Sequence, residues 1–136
     1  MTQVALDAHA EGTVLAIAAR TDSSSPHSSS DMEKAYQFIG VKLYLEIDTV
    51  TGTSPTLDVK VQTKDPVSGE YHDLTGATFA QKTAAGRDEL VIYPGKDEVA
   101  NRAVNDALPR TWKVVATIGG TDTPTFTFGV GYAYLG

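Results

Sequence analysis

Between Val41 and Gln62 the chain alternates residue by residue. Val41, Leu43, Leu45 and Ile47 are apolar, Lys42, Tyr44, Glu46 and Asp48 are not, and after Thr51–Pro55 the same period resumes in Leu57, Val59 and Val61 against Asp58, Lys60 and Gln62. Only an extended strand puts successive side chains on opposite faces, so each run is a strand with one buried and one solvated face. The C-terminal region repeats the pattern. Trp112, Val114, Ala116 and Ile118 alternate before Gly119-Gly120, and Phe126, Phe128, Val130, Tyr132 and Tyr134 alternate after Pro124. Between the paired runs stand TGTSPT, from Thr51, and GTDTPT, from Gly120, both rich in turn-forming residues. The spacing therefore predicts two similar hairpins, each turning at its Gly-Thr and Pro-Thr segment, with inner faces that pack together as a sandwich.

Other segments are short and punctuated. Thr13–Ala19 reads as a strand, with a short helix as the alternative. Asp65–Gly69 is a turn, Tyr71–Leu74 and Ala77–Lys82 are strands around Gly76, and Arg87–Tyr93 is a strand ended by Pro94-Gly95. Lys96–Leu108 has helical spacing at Val99, Ala103 and Ala107 but is bounded by Gly95 and Pro109, which predicts a loop with one or two helical turns. Residues 22–31 hold six serines and a proline, the composition of a flexible loop, and residues 1–12 read as a flexible N-terminal arm. Turns at this frequency point to an all-β fold. The expectation is one domain over residues 1–136, an antiparallel β-sandwich or jelly-roll-like barrel of about seven to nine strands with a short helical turn at most.

Composition narrows the function classes. The chain has no cysteine, so disulfides and thiolate metal sites are excluded. Eleven basic residues against seventeen acidic ones give a formal charge of −6, which repels phosphate backbones and argues against nucleic acid as a partner. The apolar run Val14–Ala19 is too short for a membrane span or a signal core, and no basic residue precedes it, so the expectation is synthesis in a cytoplasm without membrane insertion.

Residues that carry chemistry are scattered. His9, His27 and His72 have no second ligand at helical or strand spacing, and Asp65, Ser68, Gly69 and Glu70 lack the alternating acidic positions of a calcium loop. No serine sits in a Gly-x-Ser-x-Gly elbow, and Gly129-Val-Gly131 lies inside an alternating strand without the third glycine of a phosphate loop. Glu46 and Asp48 share a solvated face. These patterns predict no catalytic residue, no metal, no cofactor and no enzyme, and they assign no partner-binding residue. Tyr44, Tyr71, Tyr93, Tyr132 and Tyr134 are the candidates for a sugar platform, against ordinary packing. Tyr44 stands apart because it faces away from Leu43 and Leu45, where a subunit interface would use it. On the last strand Thr125, Thr127, Gly129, Gly131 and Ala133 form a small-residue face, suited to light cover or to the close approach of another backbone.

The residues from Val41 to Leu74, with TGTSPTLDVKVQ and DPVSGEYHDL, together with Trp112 to Val130 and its PTFTFGV strand, resemble small tailed-bacteriophage virion proteins of β-sandwich type. The resemblance implies a head decoration, or cement, protein that binds the outside of the capsid and stabilises it. It implies the major capsid protein as partner and self-association, a trimer ahead of a dimer, after synthesis in a bacterial host's cytoplasm. A minor tail or head-to-tail component and a carbohydrate-binding or adhesion sandwich are the alternatives.

Overall fold

The computed structural model describes residues 10–136. Every alternating run is a strand, yet neither expected hairpin forms. Gly40–Lys64 is a single strand of 25 residues, β4, and Thr111–Leu135 is another of 25 residues, β8. They pair antiparallel along their whole length, from Gly40 opposite Leu135 to Thr63 opposite Trp112.

The two Gly-Thr and Pro-Thr segments face each other in the middle of this ladder. Thr51 lies opposite Thr125, Thr53 opposite Thr121 and Thr56 opposite Gly119, with register shifts on both sides of Thr53. Residues left over by these shifts bulge out, and left-handed backbone at Gly52, Ser54, Gly120, Asp122 and Thr123 accommodates them. Bulges of this kind bend a strand sharply without ending it. The segments are therefore matching kinks rather than turns. Alternation sets which face is buried but leaves the partner open, and each run here pairs with a distant one.

The kinks fold the β4–β8 ribbon double. Trp112 and Tyr134 lie 22 positions apart in β8, a span of roughly 70 Å if the strand were straight. Instead the Trp112 indole N–H donates to the Tyr134 hydroxyl at 3.2 Å, and their rings meet edge to face with centroids 6.2 Å apart. Doubling brings the apolar faces of both halves together. Leu43, Leu45, Leu57, Val59, Trp112, Val114, Phe126 and Phe128 are all almost completely buried in one core. Burial of each large side chain contributes about 1.5–3 kcal/mol, so this shared core is the main source of stability.

The remaining strands attach to the doubled ribbon. In one half the order is β1 (Glu11–Thr21), β8, β4, β6 (Gly86–Ile92) and β7 (Ala103–Val104). In the other half β2 (His27–Ser28) and β3 (Met32–Glu33) flank β8, and β5 (Tyr71–Thr78) flanks β4. The eight strands form one sheet, antiparallel except for β6 with β7. Its end strands β1 and β7 do not pair with each other, so the fold is an open, sandwich-like sheet rather than a closed barrel. No helix among the described residues is long and apolar enough to cross a membrane.

Thr13–Ala19 falls inside β1, which removes the helical alternative, and β5 runs through Gly76 as a single strand up to Thr78. The helical turns expected in residues 96–108 are absent. Asn101 is left-handed there, Ala103–Val104 pair with β6, and the Leu108 amide donates to the Ile39 carbonyl. The serine-rich segment holds a 3-10 turn at Asp22–Ser24, and its hydroxyls serve β8: Ser25 Oγ accepts from the Ile118 amide at 2.9 Å and Ser29 Oγ from the Val114 amide at 3.0 Å. Of the expected N-terminal arm, residues 1–9 lie outside the described residues, while Glu11 and Gly12 already belong to β1.

The kink yields a direct prediction. Gly120 has φ 124°, and a Cβ there would lie 2.8 Å from the Ser54 carbonyl oxygen, whereas Gly76 has φ 81° with no atom within 4 Å of such a Cβ. Gly76→Ala is expected to cost about 1 kcal/mol through backbone conformation alone, and Gly120→Ala roughly twice that or more, in chemical denaturation. Equal costs would mean that the kink is not packed as described.

Candidate interaction surface

The five tyrosines do not gather. Tyr132 and Tyr134 point inward with Trp112, their ring centroids 4.9 Å apart, and Phe38 stacks on Tyr134 at 5.3 Å. Tyr93 is half-buried. Tyr71, on β5, donates its hydroxyl to Asp31 Oδ1 at 2.7 Å and carries the Lys113 ammonium 3.8 Å from its ring centroid. The Tyr71 hydroxyl, helped by Lys64 3.3 Å away and opposed by burial, holds the Asp31 carboxyl below the usual carboxylate range. Asp31 in turn raises Tyr71. This cluster joins β5 to the segment before β3, and every member already has a partner.

The polar candidates have local structural duties. His27 Nε2 lies 2.8 Å from the Thr21 carbonyl, His72 is exposed on β5, and His9 lies outside the described residues. Among the described residues no three His, Asp or Glu side chains converge as a metal site would require. Asp65 accepts from the Val67 amide at 2.8 Å and the Ser68 amide at 3.4 Å, and these two bonds hold its carboxyl low. That carboxylate closes the turn between β4 and β5. Glu46 takes the Arg87 guanidinium at 2.9 and 3.0 Å, and Asp48 is exposed. Gly129 has β1 against it: a Cβ there would lie 2.7 Å from Ile17 Cγ1 and 2.8 Å from the Leu15 carbonyl oxygen. The small-residue face thus admits the close approach of a neighbouring backbone.

Two exposed features remain. On the outer face of the first half, Tyr44 and Ile17, 40% and 54% exposed, rim a shallow depression of about 410 Å³ that includes Gly129 and Gly131. Ion pairs Lys42–Glu89 and Arg87–Glu46 flank Tyr44.

The second feature lies at the open end of the ribbon, opposite the kinks, where residues 34–39, 65–70 and 105–110 connect the strands. Arg110 borders two grooves there, one of about 450 Å³ with Asp31, Lys64 and Asp65, the other of about 530 Å³ with Lys34 and Tyr36. Tyr36 is 94% exposed and Val67 is 93% exposed. Tyr36 and Arg110 line one groove, Arg110 also pairs with Glu33 at 3.2 Å, and Val67 stands on the 65–70 loop of the same end; tyrosine and arginine side chains this exposed have the chemistry of a protein-binding surface. Sequence periodicity cannot find these residues because they sit in loops. Their one signal is an apolar residue in a polar turn, at Val67.

Among the ion pairs, Lys82–Asp88 is the most shielded, with a separation of 2.6 Å. Lys82 bridges to Leu57 in one half and Asp88 lies in β6 of the other, so the pair ties the halves together. Burial pushes the Asp88 carboxyl up, but the Lys82 ammonium and the Glu89 amide outweigh it and keep it below the usual range. A depressed carboxyl stabilises the fold above its unfolded value, near 3.9, and loses that contribution as pH falls through the folded value. Lys82→Met is therefore expected to be less stable than the parent at neutral pH, with the gap closing as pH drops below about 4. Denaturation midpoints across pH measure this, and a gap independent of pH would contradict it.

Compared with known proteins, the chain matches no family model and no curated protein.

Proposed function

We propose that the protein is a non-enzymatic structural component of a tailed-bacteriophage virion, which binds the outside of the capsid and stabilises it. The resemblance of Val41–Leu74 and Trp112–Val130 to phage decoration proteins supports this reading. The observation that carries it to a surface is the open end, where Tyr36, Val67 and Arg110 are presented on loops held by the ribbon. Tyrosine and arginine supply a disproportionate share of binding energy when a partner desolvates them. A chain of net charge −6 suits the outer surface of a shell better than its DNA-filled interior. The partner is the major capsid protein, and self-association, as a trimer ahead of a dimer, raises the number of contacts each particle makes.

A protein that binds the assembled shell and not its free subunits stabilises the shell by mass action. Adding it to undecorated capsids is expected to raise their melting temperature and to add density outside the shell in electron microscopy. Tyr36→Ala combined with Val67→Asp is expected to keep the fold and weaken binding about thirtyfold, the effect of losing a hot spot worth ~2 kcal/mol. Capsids with unchanged melting and no added density would remove the reading. Full binding by the double variant would keep the shell as partner and exclude the open end as the contact.

A further inference from the structure

The two grooves at the open end differ in the chemistry of their walls. Asp31, Glu33 and Asp65 stand in the first with Lys64 and Arg110, so acid and base there offset each other. The second is lined by Lys34, Ala35, Tyr36, Gln37 and Arg110, with no carboxylate among them. The ammonium, the guanidinium, the phenol and the side-chain amide all donate hydrogen bonds, and the first two are cations. On a chain of formal charge −6 this wall stands out from the rest of the surface.

Its cations are also uncommitted. Elsewhere Lys42, Lys60, Lys64, Lys82 and Arg87 each hold a carboxylate in an ion pair. Among the described residues Lys34 belongs to no such pair. Arg110 makes one contact, from Nη2 to Glu33 at 3.2 Å, and its side chain stays 79% exposed. A guanidinium carries its donors in a planar fork, so a single contact leaves it able to grip a second carboxylate. The backbone keeps the two cations close. The Lys34 amide donates to the Arg110 carbonyl at 3.0 Å, just past the pairing of Glu33 with Thr111 in the β3–β8 ladder. Tyr36, almost fully exposed beside them, adds a flat apolar ring with a donor at its tip.

We infer that this groove takes an acidic segment of a partner protein, a Glu or Asp carboxylate seating between Lys34 and Arg110 while Tyr36 covers the chain beside it. The inference rests on reading the open end as the contact surface and adds the chemistry of what is contacted. Charge-assisted hydrogen bonds to both cations supply the attraction. The net negative field of the chain opposes a long polyanion such as nucleic acid, and opposes a short acidic segment between neutral residues far less.

The test is titration of the full-length protein with a capped Gly-Glu-Glu-Gly peptide at low salt, followed by nuclear magnetic resonance. Saturable shifts centred on Lys34, Tyr36, Gln37 and Arg110 are expected, with the uncharged Gly-Gln-Gln-Gly at least about tenfold weaker. Lys34→Gln combined with Arg110→Gln should weaken binding of the acidic peptide by about tenfold or more, and Glu33→Gln, which releases Arg110, should strengthen it about threefold. Equal binding of the two peptides, shifts centred elsewhere, full binding by the double variant, or no gain in Glu33→Gln overturns the inference. So does tighter binding of a short oligothymidylate, which would make the groove a phosphate site. If the double variant does not fold, the peptide comparison and the loss of binding at high salt decide on the parent protein. No capsid enters this experiment, so a negative titration leaves shell binding standing, whereas capsids unaffected by the protein remove that reading and leave a positive titration intact.

Discussion

The long antiparallel ladder between Gly40–Lys64 and Thr111–Leu135 is the constraint from which the other features follow. Two strands of this length are several times longer than the usual five or six residues, and left straight they would expose an apolar face with nothing to cover it. Paired kinks at Thr51–Thr56 and Gly119–Thr125 resolve this by bending both strands at the same place, so that the ribbon covers itself. The Trp112–Tyr134 hydrogen bond closes the far end of the doubled ribbon. Every other strand except β7, which pairs with β6, then attaches to an edge that the ribbon provides. Because the ribbon joins residues far apart in sequence, its loop-closure entropy is lost before most native contacts form, and slow folding is expected of such a topology.

The faces of the strands were legible in the sequence, and their partners were not. Leu43, Leu45, Val59, Trp112 and Phe126 are buried where period two puts them, and Tyr44 is exposed where it puts Tyr44. Period two says nothing about which strand lies alongside, and the turn-like composition of TGTSPT and GTDTPT favoured a local partner. Gly, Ser and Pro serve a kink by the same backbone freedom that serves a turn, so composition alone does not separate the two. The serine-rich segment holds a further feature that composition does not reach. Its hydroxyls satisfy backbone amides of Val114 and Ile118, a duty that hydropathy does not register.

The surface was less legible than the core. Alternation identified Tyr44, and the same alternation removes Tyr132 and Tyr134 from any exposed platform, since it turns them toward Trp112. Tyr36, Val67 and Arg110 lie in connections without a period, and only the doubled ribbon brings their loops to one end. Charged side chains on the outer faces, such as Lys42 with Glu89 and Lys60 with Asp73, pair across neighbouring strands and remain hydrated. Pairs of this kind add little stability. They leave the loops at the open end as the surface on which the proposed binding role rests.

The pairing of the two kinks is the claim on which the account turns, and nuclear Overhauser contacts in the folded protein test it most directly. Cross-strand contacts between Thr51 and Thr125 and between Val59 and Ala116, together with ring contacts between Trp112 and Tyr134, are the predicted result. Cross-strand contacts between the Val41–Val50 and Leu57–Gln62 runs, with none from Thr51 to Thr125, would show a local hairpin instead and contradict the doubled ribbon.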